Sequence, residues 1–292
     1  MKKFRGTGVA IITPFKNDSS IDFASMEKVI NHIISGGADY IVLMGTTGES
    51  PTLTKDEKKA LISFTADTIG RRVPLVVGIG GNNTQEIINQ IKSTDLKPAA
   101  AILSVAPYYN KPTQRGLHEH FKAVASCSPV PVIMYNIPGR TGCNISADTC
   151  LQLAHEFDNI IGVKEASGNF EQIARIIRGK PDGFHVISGD DLFTLPLIAA
   201  GGSGVISVVA NAYPEEWSGM VNLCLRQNFK AAREIMFRFL EILDLLFVEG
   251  NPSGIKAVLS IMGLCQNNLR LPLVPVSSHT FTRFRKAMEE LS

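Results

Sequence analysis

Ile160-Ile161-Gly162-Val163-Lys164 is a short, continuous apolar run closed by a single cation. A run of this length that does not alternate with polar residues predicts a strand covered on both faces, as in a parallel sheet. Seven comparable runs surround it, at residues 8–14, 40–44, 74–79, 99–105, 131–135, 184–188 and 204–209. Helical patterns lie between them. Met26, Val29, Ile30, Ile33 and Ile34 recur at spacings of three and four, and Gly36-Gly37 ends that pattern. Thr54 with Glu57 predicts a capping box at a helix start, and Asn83 with Glu86 a weaker one. Eight strand and helix units within about 225 residues predict a (β/α)8 TIM barrel, here a catalytic barrel over residues 1–225. An open doubly wound sheet normally uses fewer strands and often a GxGxxG turn, which does not follow the first run. Beyond Asn211 the pattern is helical, with segments at 235–247, 255–262 and 280–291, so residues 226–292 are assigned to a C-terminal helical region. The segment at 235–247 carries more apolar surface than one amphipathic stripe needs, which points to oligomer contacts or to burial against the barrel.

A chain of 292 residues with 45% hydrophobic residues can bury a large core. Its net charge of +2 and its scattered basic residues leave no electrostatic footprint for nucleic acid or an anionic membrane, so the expected partner is a small molecule. No apolar stretch reaches the length of about 18 residues that spans a bilayer, and the segment after Lys2-Lys3 meets Thr13-Pro14 too early for a signal peptide; a cytoplasmic location is expected. The five cysteines form no CxxC pair and read as reduced packing residues. His118 and His120 stand two apart on an expected helix and share no face, and Asp190-Asp191 lacks an accompanying histidine. No metal is expected, and Asp191 is assigned to a helix N-terminus.

In a barrel of this kind the active site lies at the C-terminal ends of the strands. Lys164 closes one of them. A lysine near pKa 10.4 is almost wholly charged at neutral pH, so attack on a carbonyl requires the depressed pKa that a desolvated strand end can supply. The plainer alternative is an ammonium that reaches solvent while its methylenes cover apolar surface. Gly45-Thr46-Thr47-Gly48-Glu49-Ser50 permits a tight turn whose amides and hydroxyls suit a carboxylate, or is an ordinary Gly/Thr turn. Pro107-Tyr108-Tyr109-Asn110 and Tyr135-Asn136-Ile137-Pro138-Gly139-Arg140 add hydroxyls able to relay protons and a guanidinium shaped for a carboxylate. Tyr135 could equally anchor a strand end, and Arg140 could be a surface cation. Gly189 and Ile206 could supply backbone groups or packing around a small ligand.

Taken together, Gly45-Thr46-Thr47-Gly48-Glu49, Tyr135-Asn136-Ile137-Pro138, Gly162-Val163-Lys164-Glu165-Ala166-Ser167-Gly168 and Gly204-Val205-Ile206-Ser207 resemble the pyruvate-dependent class I aldolase family of N-acetylneuraminate lyase and dihydrodipicolinate synthase, over nearly the full length. Pro107-Tyr108-Tyr109-Asn110 and Arg140-Thr141-Gly142 resemble its synthase branch. The resemblance implies a Schiff base between Lys164 and pyruvate, a proton relay of Thr46, Tyr135 and Tyr109, and a homotetramer built as a dimer of dimers, with Tyr109 reaching in from a neighbouring subunit. It implies that Thr46 and Thr47 hold the pyruvate carboxylate, that Arg140 holds that of L-aspartate 4-semialdehyde, and that Gly189 and Ile206 supply backbone near the intermediate. The implied reaction is a condensation in diaminopimelate and lysine biosynthesis that needs no metal or organic cofactor. Ser50, Asn82, Glu86 and Tyr108 match the family's regulatory lysine pocket. Lys55 and Lys58, however, stand where lysine-inhibited members resembling this chain carry histidines, and Pro51 where they often carry alanine, so feedback inhibition is expected to be weak or absent. An aldolase for sugar-derived 2-keto acids and a non-catalytic keto-acid binder are the alternatives, separable by turnover and by borohydride trapping.

Overall fold

The computed structural model describes residues 3–291; Met1, Lys2 and Ser292, where the two expected regions begin and end, lie outside the described residues. Strands β1 (Gly6–Ala10), β2 (Tyr40–Leu43), β3 (Leu75–Gly78), β4 (Ala99–Val105), β5 (Val132–Asn136), β6 (Ile160–Glu165), β7 (His185–Ser188) and β8 (Gly204–Ser207) pair in parallel in sequence order, and β8 closes on β1. The connecting helices are α1 (Phe23–Ser35), α2 (Lys55–Ile69), α3 (Thr84–Ser93), α4 (Gln114–Cys127), the short α5 (Pro138–Thr141), α6 (Ala147–Glu156), α7 (Phe170–Gly179), α8 (Thr194–Ala199) and α9 (Pro214–Leu225). Four more follow among the described residues: α10 (Phe229–Arg238), α11 (Leu240–Val248), α12 (Ser253–Ile261) and α13 (Ser278–Leu291). This is a (β/α)8 barrel with C-terminal helices. No helix among the described residues is long and apolar enough to cross a membrane.

Local chemistry accounts for most boundaries. At α2 the Thr54 hydroxyl accepts from the Glu57 amide while the Glu57 carboxylate accepts from the Thr54 amide, so the capping box is complete. At α3 Asn83 caps alone, accepting from the Gln85 amide at 3.0 Å without a return bond from Glu86. β1 starts two residues earlier than expected and ends at Ala10, because beyond it the Ile12 amide turns to the Asn211 side chain instead of a neighbouring strand. β8 ends at Ser207, and the next residues wind into a 3-10 turn, Val209–Asn211. The helix expected at 235–247 is two, broken at Phe239, which is buried edge-on against Tyr213 and Trp217 at centroid distances of 5.1 and 5.9 Å. Ile242, Leu243, Leu245 and Leu246 are buried within the chain, whereas Phe237 and Phe247 remain exposed.

The apolar residues form two layers. Val42, Val76, Leu103, Ile133, Ile161, Ile187 and Ile206 pack inside the barrel, and a larger cluster fills the space between strands and helices. The pairing of β5 with β6 carries one irregularity. Val132 pairs with Ile160, but Ile133 pairs with Gly162, so Ile161 is an extra residue on β6, and Tyr135 then stands beside Lys164. Ile161 belongs to the inner layer and Val163 to the outer one. Unbroken alternation from Ile161 would send Lys164 outward; the extra residue reverses the parity and turns it inward. Glycine suits the place, since a Cβ on Gly162 would lie 2.7 Å from the His185 carbonyl oxygen.

Candidate active site

Lys164 is 5% exposed near the end of β6, with Nζ 4.3 Å from the centre of the Tyr135 ring. Burial lowers its pKa to about 8; the Asp191 carboxylate opposes the shift and the Arg140 guanidinium adds to it. At such a pKa about one amine in ten is neutral at pH 7, against fewer than about one in a thousand for an ordinary lysine. Burial pushes the Tyr135 phenol up to about 12, and its hydrogen bond with Thr46 and the charge of Arg140 pull it partly back. The phenol therefore stays protonated at neutral pH and can both donate and accept, as a relay requires.

Thr46-Thr47-Gly48 forms a 3-10 turn beyond β2. The Thr13 hydroxyl donates to the Gly48 carbonyl at 2.7 Å, and Asn251 Nδ2 donates to Thr47 Oγ1 at 2.9 Å. Glu49 comes next in the left-handed region, φ 52°, with its carboxylate buried against the Lys256 ammonium and accepting from the Arg270 amide at 3.0 Å. Arg140 stands exposed on α5, which Pro138 starts and Gly142 ends in a left-handed conformation. Gly45, Thr46, Ser50, Tyr108, Tyr135 and Arg140 line a cavity of about 350 Å³, room for small polar ligands.

Thr46, Tyr135 and Arg140 thus meet around one cavity; Lys164, whose ammonium lies over the Tyr135 ring, and Thr47 are not among the residues that line it. Gly189 packs directly on the lysine: an added Cβ would lie 3.0 Å from Lys164 Cε and 2.8 Å from Ala166 Cβ. Ile206 is buried in the inner layer that also holds Tyr135. Tyr109 is 89% exposed with φ 76°, and no hydrogen bond or ring contact joins it to Thr46 or Tyr135 within the chain. Ser50 and Tyr108 line the cavity, whereas Asn82 and Glu86 are exposed around the start of α3, and no hydrogen bond links these four. Asp191 does cap, though not its own helix: its Oδ2 accepts from the Val208 and Val209 amides, both at 3.0 Å, at the 3-10 turn after β8.

Several buried polar groups carry no distinctive sequence pattern. Glu165 accepts from Asn136 Nδ2 at 2.7 Å, Gln172 Nε2 at 2.5 Å and the Ser167 amide at 2.9 Å. Lys256 is wholly buried in α12. A lone cation inside the apolar run of residues 255–262 is the one sequence signal that marks it. Among the described residues no group of three or more His, Cys, Asp or Glu could hold a metal ion.

Comparison with known proteins extends these likenesses. A sequence model of the dihydrodipicolinate synthetase family matches residues 3–291. A 4-hydroxy-tetrahydrodipicolinate synthase of Parabacteroides distasonis is 49% identical over 288 residues, 99% of this chain and 97% of the relative. The crystal structure of a dihydrodipicolinate synthase from Thermotoga maritima superimposes with a TM-score of 0.96 at 38% identity, covering 99% of both chains. That of a chloride-inhibited dihydrodipicolinate synthase from Acinetobacter baumannii complexed with pyruvate does so with a TM-score of 0.95 at 37% identity, covering 99% of both.

The close packing of Gly189 on Lys164 yields a direct expectation. Gly189→Ala should slow borohydride trapping of a 2-keto acid on Lys164 by at least about tenfold, because misplacing a reacting group by about an ångström is costly. A trapping rate equal to that of the unsubstituted chain would show that the lysine does not need this space.

Proposed function

Since the chain belongs to the dihydrodipicolinate synthetase family, we propose that it condenses pyruvate with L-aspartate 4-semialdehyde, the 4-hydroxy-tetrahydrodipicolinate synthase reaction of diaminopimelate and lysine biosynthesis. The observation that carries this reading is the buried, pKa-lowered amine of Lys164 set over the ring of Tyr135, whose phenol is hydrogen-bonded with Thr46. The neutral amine attacks C2 of pyruvate, and the resulting carbinolamine loses water as the Tyr135 phenol supplies the proton. The iminium nitrogen then withdraws electrons from C3, whose proton leaves through the same hydroxyls to give an enamine. C3 of the enamine attacks the aldehyde carbon, and the new alkoxide takes up a proton to become the 4-hydroxyl. The amino group of the semialdehyde adds to C2, closes the ring and expels Lys164 as the free amine. No step requires a metal or an organic cofactor.

Thr46 and Thr47 hold the pyruvate carboxylate in this scheme, and Arg140 at the cavity mouth holds that of the semialdehyde. Gly189 and Ile206 contribute backbone beside the intermediate. Tyr109, exposed and held at φ 76°, completes the relay of a neighbouring subunit in a homotetramer arranged as a dimer of dimers. The enzyme works in the cytoplasm. Arg140 favours the semialdehyde over a sugar-derived acid.

Ser50, Asn82, Glu86 and Tyr108 are the counterparts of a regulatory lysine site, weakened by two added ammonium groups. Lys55 is exposed and Lys58 half-buried, its pKa lowered by burial. Like charges of this kind oppose a cationic effector.

Pyruvate with borohydride should add one reduced pyruvyl group that maps to Lys164, Lys164→Arg should abolish both adduct and condensation, and Tyr135→Phe should lower kcat by ~10²–10⁴; condensation that survives in Lys164→Arg would refute the Schiff base. Titration with free lysine should show half-inhibition only above about 1 mM, and an effect at lower concentration would mean that the ammonium groups do not block the site.

A further inference from the structure

The turn that carries Thr46 into the cavity wall is not held by the barrel alone. Thr47 is 2% exposed, and its Oγ1 accepts from Asn251 Nδ2 at 2.9 Å. Asn251 lies between α11 and α12, 204 residues further along the chain. A threonine hydroxyl has one proton and two lone pairs. With a lone pair engaged by an amide N–H, its proton cannot turn back on Asn251 and is left for another acceptor; the neighbouring Thr46 and Asn251 itself line the cavity, although Thr47 does not. The same turn is gripped a second time from the C-terminal helices, where Glu49 meets Lys256 and the Arg270 amide. That grip fixes the backbone, and the Asn251 bond sets the direction in which Thr47 donates.

We propose that Asn251 is a positioning residue that fixes the Thr47 hydroxyl as a donor to the carboxylate of the keto acid. The inference rests on the reading of Thr46 and Thr47 as the carboxylate site. Asn251 is 6% exposed, and its Oδ1 has no hydrogen-bond partner, so the bond to Thr47 is the one its side chain makes. Replacing the amide therefore alters that bond before any other. Aspartate has the same shape but only accepts, so it would draw the Thr47 proton to itself and set a negative charge beside an anion site.

The test is the pyruvate dependence of borohydride trapping in the full chain and in its Asn251→Ala and Asn251→Asp variants, with thermal melting to confirm folding. Half-saturating pyruvate should rise about tenfold in Asn251→Ala and further in Asn251→Asp. Adduct yield at saturation and the KM for the semialdehyde should not change. A packing role would make the isosteric aspartate the milder change, and that order overturns the inference. So does a half-saturation within twofold of the unsubstituted chain in either variant that folds. If the unsubstituted chain formed no adduct at all, the reading of Lys164 would fall as well, so the two failures are told apart by whether wild-type trapping occurs.

Discussion

The extra residue on β6 at Ile161 determines which way Lys164 points. In a strand, successive side chains alternate between faces, so a shift of one position exchanges barrel interior for helix layer. Val163 joins the outer layer, and Lys164 turns inward to meet the Tyr135 ring. With the opposite parity the ammonium would face the helix layer, away from Tyr135. Depressed basicity, contact with Tyr135 and the packing of Gly189 all descend from that single change of register.

A barrel held only by ladder hydrogen bonds would leave its strand ends free to splay, and here buried polar groups tie them in turn. Glu165 gathers Asn136, Gln172 and the Ser167 amide, and its carbonyl accepts from the Gly189 amide at 2.8 Å, linking the ends of β6 and β7. Asp191 joins β7 to the turn after β8. Asn211 then reaches back to the Ala10 carbonyl at 2.9 Å and the Ile12 amide, beyond β1. Hydrogen bonds of this kind contribute on the order of 1 kcal/mol each, and more when one partner is charged. The Glu49 and Lys256 pair differs, since leaving either charge buried alone costs about 3–5 kcal/mol. The C-terminal helices are thereby tied to the turn that carries Thr46 into the cavity wall. Groups placed so firmly meet developing charge without first having to reorient.

The eight strands were legible because each is a short apolar run bounded by turns, and the helices between them announce themselves by spacing and by caps such as Thr54 with Glu57. Lys164, Tyr135, Thr46 and Arg140 were legible because they come after such runs, at the ends where barrel chemistry collects. The inward turn of Lys164 was not, since the pattern Ile160-Ile161-Gly162-Val163 looks the same with or without an extra residue, which only the pairing with β5 reveals. Neither was the break at Phe239. Its cause is tertiary, the burial of one ring against Tyr213 and Trp217, and the local pattern runs through it unbroken. The contacts of Asn251 and Lys256 with the 46–49 turn span more than 200 residues and leave no periodic trace.

The central claim is that an amine turned into the barrel interior is uncharged often enough to react, and the basicity of that one group tests it most directly. Competitive acetylation of the folded chain with trace anhydride across a pH series, followed by peptide mapping, reports the titration of Lys164 alone. A midpoint near pH 8 is expected, with reactivity rising as pH increases through that value because the neutral amine is the form that reacts. A midpoint near the ordinary lysine value of about 10.4 would contradict it.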